Sequence, residues 1–71
     1  MTKAEMEHKL NTQGGIGTAC TLNGITRYNF YEDTSDKSGI TIAMETIYPL
    51  LFAGDIDSVT FIEKTALHKE A

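Results

Sequence analysis

Residues 16–31 have the sequence IGTACTLNGITRYNFY, and this stretch decides the fold. Asn23-Gly24 is the strongest short-range signal for a β-hairpin, because both residues tolerate the positive φ angles that a type I′ turn requires. A two-residue turn also fixes which residues face each other across the hairpin. The expected pairs are Leu22 with Ile25, Thr21 with Thr26, Cys20 with Arg27, Ala19 with Tyr28, and Gly17 with Phe30. The sequence therefore predicts two antiparallel strands with a single register.

The segment before the hairpin predicts a helix over residues 3–11. Thr2 and Glu5 have the three-residue spacing of a capping box. The apolar face of this helix consists of Met6 and Leu10 alone, and one such pair holds a short helix weakly. We therefore expect the helix to fray.

The segment after the hairpin predicts a third strand followed by a short helix. A polar loop leads into the strand, ITIAMET at 40–46. Thr46 then caps a helix over 47–53, in which Pro49 lies in the tolerated first turn and Gly54 ends the helix. This helix is expected to pack on the sheet.

The stretch SVTFIEKT at 58–65 predicts a last strand. Val59 and Phe61 are expected to face inward, with Thr60 and Ile62 as the alternative pair. The tail from residue 66 is expected to fray.

Together these elements predict the α+β class, with the order α-β-β-β-α-β. The sheet is expected to be small and mostly antiparallel, with a short helix packed on one face. The 71 residues are enough for one domain, 1–71, in which residues 1–13 form a loosely held N-terminal helix.

The hairpin register, continued as a meander, assigns side chains to two faces of the sheet. The expected core face carries Tyr28, Phe30, Ile40, Ile42 and Met44, with a hollow for the helix at the small residues Gly17 and Ala19. The other face is half polar and has two apolar ends, formed by Ile16 with Tyr31 and by Leu22 with Ile25. We expect this face to be solvated or to be covered at its apolar ends by a second copy, and hence a homodimer.

The composition excludes several classes of protein. Ten acidic against six basic residues give a net charge of −4, which opposes direct nucleic-acid binding. Cys20 is the only cysteine, so no internal disulfide can form, and this is typical of a reducing compartment. The charged N-terminal residues do not resemble a signal peptide, and the longest apolar run, at 47–54, is far shorter than the ~20 residues that span a bilayer. We expect a cytoplasmic protein without a membrane segment.

Residue types that catalyse reactions or hold metals are few and scattered. His8, His68 and Cys20 show no paired spacing. Asp55 and Asp57 have the D-x-D spacing that begins a calcium loop, but the later positions of that motif do not match. The GGIG at 14–17 follows a helix and leads into a strand, so it predicts a hinge instead of a phosphate-binding loop. We expect no metal, no organic cofactor and no enzymatic activity.

An aromatic residue followed by acids gives the candidate binding site. Tyr31 ends a strand, and Glu32, Asp33 and Asp36 follow it in a polar loop. An aromatic anchor surrounded by charge suits a protein contact, and the partner would be basic. The alternative interpretation is a solvated turn without a binding role.

The leading hypothesis is a small acidic protein-binding or regulatory protein. A specific form of it is an inhibitor, encoded by a mobile genetic element, that acts on a basic, nucleic-acid-handling protein. The alternative is a self-assembling structural module without a separate partner, in which the half-apolar sheet face or an edge strand pairs with its own copy.

Overall fold

Two helices and three strands make up the fold. The structure, a computed structural model, describes residues 1–64. In chain order the elements are α1 (Lys3–Gln13), β1 (Ile16–Leu22), β2 (Ile25–Tyr31), α2 (Gly39–Ala53) and β3 (Ser58–Ile62). The strands form one antiparallel sheet in the spatial order β2-β1-β3. The α+β class is confirmed, but the order within the described residues is α-β-β-α-β, with three strands where four were predicted.

The central hairpin forms as predicted. Asn23 and Gly24 occupy its turn with φ angles of 52° and 80°, as a type I′ turn requires. The register of Ile16–Leu22 on Ile25–Tyr31 contains every pair expected from the two-residue turn. Because side chains alternate between faces along a strand, this register determines which residues of the two strands lie on the same face of the sheet.

The last strand, β3, pairs with β1 on the side away from β2. Val59 and Phe61 pack against the core under α2, which confirms the first of the two predicted orientations. The strand ends at Ile62 and is therefore shorter than the predicted 58–65. The fraying expected from residue 66 lies outside the described residues.

The predicted strand at 40–46 is wrong, because this segment is the first half of α2. Ser38 caps the helix, and its hydroxyl oxygen accepts a hydrogen bond from the amide of Thr41 at 3.4 Å. The predicted helix over 47–53 is the second half of the same helix. A single helix thus replaces a predicted strand and a predicted helix.

The packing of α2 explains why the local preference for a strand is overridden. Ile40, Ala43 and Ile47 are spaced by three and four residues, so they share one helical face that packs on the sheet. The β-branched residues of the segment favour a strand, but a capped helix buries this face. Ile40, Ile42 and Met44 consequently do not belong to the sheet face to which they were assigned.

The two helices lie on opposite faces of the sheet. Ile16 packs against Ala43 and Ile47 of α2. At the next position, a Cβ atom on Gly17 would collide with the sulfur of Met6 in α1. Because neighbouring residues of a strand point to opposite faces, the sheet forms a layer between α1 and α2.

The predicted roles of the two sheet faces change accordingly. Gly17 does offer a hollow, but the helix that fills it is α1 instead of the later helix. The face expected to be solvated is covered by α2 at the end formed by Ile16 and Tyr31. At the other end, Leu22 and Ile25 are 39% and 63% exposed. The argument for a homodimer through this face therefore applies to the hairpin end only.

The N-terminal helix is capped as predicted. The hydroxyl oxygen of Thr2 accepts from the amide of Glu5 at 3.1 Å, and the Glu5 carboxylate accepts from the amide of Thr2 at 3.0 Å. These hydrogen bonds lower the pKa of Glu5. Met6 and Leu10 are both fully buried. How firmly the helix is held stays a prediction.

Thr18 is a buried polar residue in the middle of β1. Its side chain has 0% exposure, and within residues 1–64 its hydroxyl has no strong hydrogen-bond partner, since the thiol of Cys20 is only a weak one. An unpaired buried hydroxyl of this kind costs about 1–3 kcal/mol. The fold is therefore less stable than its packing allows.

Candidate functional site

The predicted binding residues do not share one environment. Tyr31 is half-buried against the core under α2, and burial raises the pKa of its phenol. The Asp33 carboxylate accepts a hydrogen bond at 2.6 Å from the amide of Gly39, the first residue of α2. Glu32 and Asp36 are exposed. The structure thus gives Asp33 a role in holding the helix start, while Glu32 and Asp36 point their charge into solvent.

The loop between β2 and α2 is a closed turn. The hydroxyl oxygen of Thr34 accepts from the amides of Asp36 at 3.3 Å and Lys37 at 3.0 Å. The amide of Thr34 donates to the carbonyl of Lys37 at 2.8 Å. This turn brings Ser38 to its position as the cap of α2.

An ion pair joins this loop to the outer side of α2. The ammonium of Lys37 lies 2.7 and 2.9 Å from the two carboxylate oxygens of Glu45. Both side chains are about half exposed, so the pair contributes little stability. The pair instead fixes the position of the loop at 32–38, which we call the acidic loop, next to the exposed surface of α2.

A shallow groove of about 520 Å³ runs along that surface. We call it the α2 groove, and its lining residues are Thr41, Met44, Glu45, Tyr48, Pro49 and Phe52. Phe52 is 88% exposed, and the ring of Tyr48 meets that of Phe61 edge-on at a centroid distance of 6.3 Å. The groove therefore presents two aromatic side chains, one of them almost wholly in solvent.

The composition of α2 is unusual for a helix with a free side. Glu45 is the one charged residue among its fifteen. A helix that is apolar on all sides is normally buried on all sides. Here the sheet covers one side, while Leu50 is 39% and Phe52 88% exposed. The exposed side of α2 thus carries the polar residues Thr41 and Glu45 in its first half and mainly apolar residues, from Tyr48 to Phe52, in its second half.

Pro49 lies in the interior of α2, whereas the sequence predicted it in a first turn. Proline has no amide hydrogen, so the carbonyl of Glu45, four residues earlier, receives no helical hydrogen bond. Both residues line the α2 groove. The helix therefore leaves one backbone acceptor unused, on a residue that lines the groove.

The C-terminal end of α2 is closed by glycine. Gly54 adopts a left-handed conformation, and the amides of Gly54 and Asp55 donate to the carbonyls of Leu51 and Leu50. The last turn contains no basic residue. The partial negative charge of the helix end is therefore followed by the acid Asp55 with no compensating cation in that turn.

The other candidate residues have structural surroundings. His8 is exposed on α1, and Cys20 is half-buried in β1, where burial raises the pKa of its thiol. His68 lies outside the described residues. Within residues 1–64, no three His, Cys, Asp or Glu side chains are grouped so that they hold a metal ion.

Gly14, Gly15 and Asp57 have structural roles in the connections between elements. Gly14 and Gly15, with φ angles of 77° and 112°, connect α1 to β1, as the prediction of a helix before them and a strand after them requires. The Asp57 carboxylate accepts from the amide of Asn23 at 3.0 Å, and the amide of Asp57 donates to the carbonyl of Thr21 at 2.7 Å. Asp57 thus ties the hairpin turn to the loop before β3.

A second, smaller pocket of about 180 Å³ lies at the hairpin end. Its lining residues are Cys20, Leu22, Asn23, Ile25, Arg27 and Ile56. This volume is below the roughly 300–1,000 Å³ of typical ligand sites. It marks the part of the sheet that extends beyond α2.

Sequence reasoning missed the α2 groove because it divided α2 into a strand and a helix. A signal was present: Met44, Tyr48 and Phe52 recur at every fourth residue, which is typical of one side of a helix. The groove and the predicted acidic loop are neighbours through the ion pair of Lys37 and Glu45.

No family model matches the chain, and no curated protein and no solved structure is significantly similar to it. No helix within residues 1–64 has the length and apolar character needed to cross a membrane.

Proposed function

We propose that the protein binds another protein and regulates it, with the α2 groove as the docking surface. The exposure of Phe52 on a helix that carries one charge in fifteen residues carries this proposal. Aromatic side chains in exposed apolar surfaces are typical anchors of protein interfaces. Docking would cover the outer side of α2 as the sheet covers its inner side.

The acidic loop beside the groove supports a basic partner. Glu32 and Asp36 are exposed there, and the chain as a whole carries a charge of −4. Exposed charges around an apolar anchor mainly raise the rate of association. An inhibitor of a basic, nucleic-acid-handling protein, such as a mobile genetic element encodes, is the specific form of this function.

The proposal is tested by capture from the native lysate with tagged full-length chain and two matched variants. The test variant, Phe52→Gln, removes the exposed aromatic ring and places a good helix former in the helix. The control variant, Ile25→Thr, removes an exposed apolar side chain at the hairpin end and places a good strand former in the strand. We expect the same protein to be captured by the original chain and by Ile25→Thr, and to be lost with Phe52→Gln. Capture that is equal for all three chains would contradict the docking surface.

The contribution of the loop is tested separately with Glu32→Lys combined with Asp36→Lys. Asp33 is left in place because its carboxylate binds the amide of Gly39. With the captured partner, we expect a slower association whose dependence on salt is flatter, at an unchanged dissociation rate. An unchanged association rate at low salt would show that the loop is only a solvated turn.

The hairpin end supports the second candidate function, a self-assembling module. Ile25 is 63% and Leu22 39% exposed beside the small apolar pocket there. If this surface pairs with its own copy, light scattering will give a dimer mass that falls to the monomer mass with Ile25→Thr. A monomer at high micromolar concentration would exclude this candidate.

A further inference from the structure

The C-terminal end of α2 combines four features that favour a cation. The helix supplies no hydrogen-bond donor for the carbonyls of Phe52 and Ala53, because they belong to its last turn. The helix dipole adds partial negative charge at the same end, and Asp55 follows directly after the cap. Phe52 belongs to that turn and is 88% exposed, and the face of an aromatic ring attracts cations.

We propose that this end of the α2 groove binds a lysine or arginine side chain of the partner, with the cation against the ring of Phe52 and close to the carbonyl end of the helix. The inference rests on the proposed function, because it specifies the chemistry of the partner at the same surface. Arginine fits best, since its planar guanidinium stacks on aromatic rings and offers five N–H donors to carbonyl oxygens.

The rest of the groove agrees with a partner segment that donates hydrogen bonds. The unused carbonyl of Glu45 lies seven residues before Phe52, about 10 Å away along the helix. The Glu45 carboxylate is already neutralised by Lys37. A segment with an apolar side and an arginine at one end would thus cover the middle of the groove and place its charge at the negative end. A second copy of this chain would instead bring a further net charge of −4 to the interface.

The inference is tested with two synthetic amphipathic helical peptides that differ at one position. The first has an arginine near one end of its leucine-rich side, and the second has citrulline, the neutral isostere of arginine, at that position. The full chain, labelled with ¹⁵N, is titrated with each peptide while the amide signals of Phe52, Ala53 and Gly54 are followed. We expect about three- to tenfold tighter binding of the arginine peptide, with its extra shifts confined to these amides.

Phe52→Leu is the matched variant, because it keeps an apolar side chain and removes the aromatic ring. We expect it to reduce the preference for arginine over citrulline to less than twofold while retaining binding of the citrulline peptide. Phe52→Leu with an undiminished preference would overturn the role of the ring. Asp55→Asn should likewise reduce the preference for arginine.

Three other results would overturn the inference. They are equal binding of both peptides, no binding of either peptide, and contacts of Phe52 with residues 65–71 or with a second copy in the free chain. Equal binding would remove the cation site and leave the docking surface in place. Loss of the native partner with Phe52→Gln is measured without these peptides, so a failure of the proposed function can be distinguished from a failure of this inference alone.

Discussion

Replacing Pro49 by alanine should stabilise the protein. A proline in the interior of a helix costs about 3 kcal/mol relative to alanine, because it removes a hydrogen bond and its ring collides with the preceding turn. Proline returns roughly 0.4–1 kcal/mol by restricting the unfolded chain. The net gain expected for Pro49→Ala is therefore about 2 kcal/mol, which is large for a small domain whose single core supplies roughly 3–5 kcal/mol.

The gain is measurable by urea and thermal unfolding followed by circular dichroism. For a domain of this size, about 2 kcal/mol corresponds to a rise in melting temperature of about 8–16 °C. Leu50→Ala, one residue further along α2, controls for the loss of exposed apolar surface and should not raise the stability. Pro49→Ala should also weaken docking, since the new backbone amide at this position would donate to the carbonyl of Glu45. A variant that is no more stable than the original chain would refute the placement of Pro49 inside a continuous helix.

Three further predictions concern the sheet. Thr18→Val keeps the shape of the side chain and removes a buried hydroxyl whose one neighbouring partner, the thiol of Cys20, is weak. It should therefore raise the free energy of unfolding by about 1 kcal/mol, and a loss of stability would indicate a strong hydrogen bond of this hydroxyl. Gly24→Ala should lower the free energy of unfolding by about 1 kcal/mol or more, because Gly24 has a φ of 80°, which strains a residue with a side chain. The new Cβ would contact no atom within 4 Å, so no packing would offset this strain. An unchanged free energy of unfolding in chemical denaturation would argue against the type I′ turn. Cys20 is partly buried, and this burial raises the pKa of its thiol. Iodoacetamide should therefore alkylate it more slowly in the folded chain than in urea at about pH 8.5, and equal rates would mean that the hairpin end opens readily.

The sequence was sufficient for those parts of the fold that short-range chemistry decides. The Asn23-Gly24 turn determines the pairing of β1 and β2, and the spacing of Thr2 and Glu5 determines the start of α1. In both cases the partners lie close together along the chain, so local conformational preferences decide the outcome.

The start of α2 could not be predicted in the same way. Its β-branched residues favour a strand, and the cap at Ser38 is one polar residue among many in the preceding loop. The decisive contribution is the packing of Ala43 and Ile47 on Ile16, more than twenty residues earlier in the chain. Because Pro49 was placed in a first turn, the helix was expected to begin too late, and the spacing of Met44, Tyr48 and Phe52 was not recognised as one side of a single helix.

The acidic loop was predicted correctly as a loop. The exposure and hydrogen bonding of its carboxylates differ, however, and these depend on tertiary contacts. Asp33 is committed to the amide of Gly39, which follows six residues later. Glu32 and Asp36 have the same residue chemistry and are exposed. Their proposed part in steering a basic partner stays a prediction until the charge-reversal variant is measured.

The strand order β2-β1-β3 has a consequence for how the chain acquires its structure. β2 and β3 are both antiparallel to β1, so they run parallel to each other, and the chain crosses the sheet through α2 to connect them. The hairpin closes over two residues and should form within microseconds, whereas β3 can pair only after the crossover has been made. Until then β1 exposes a full row of backbone donors and acceptors along one edge. During synthesis this period lasts until Ile62 has left the ribosome, and a chain stopped at Gly54 should aggregate through that edge.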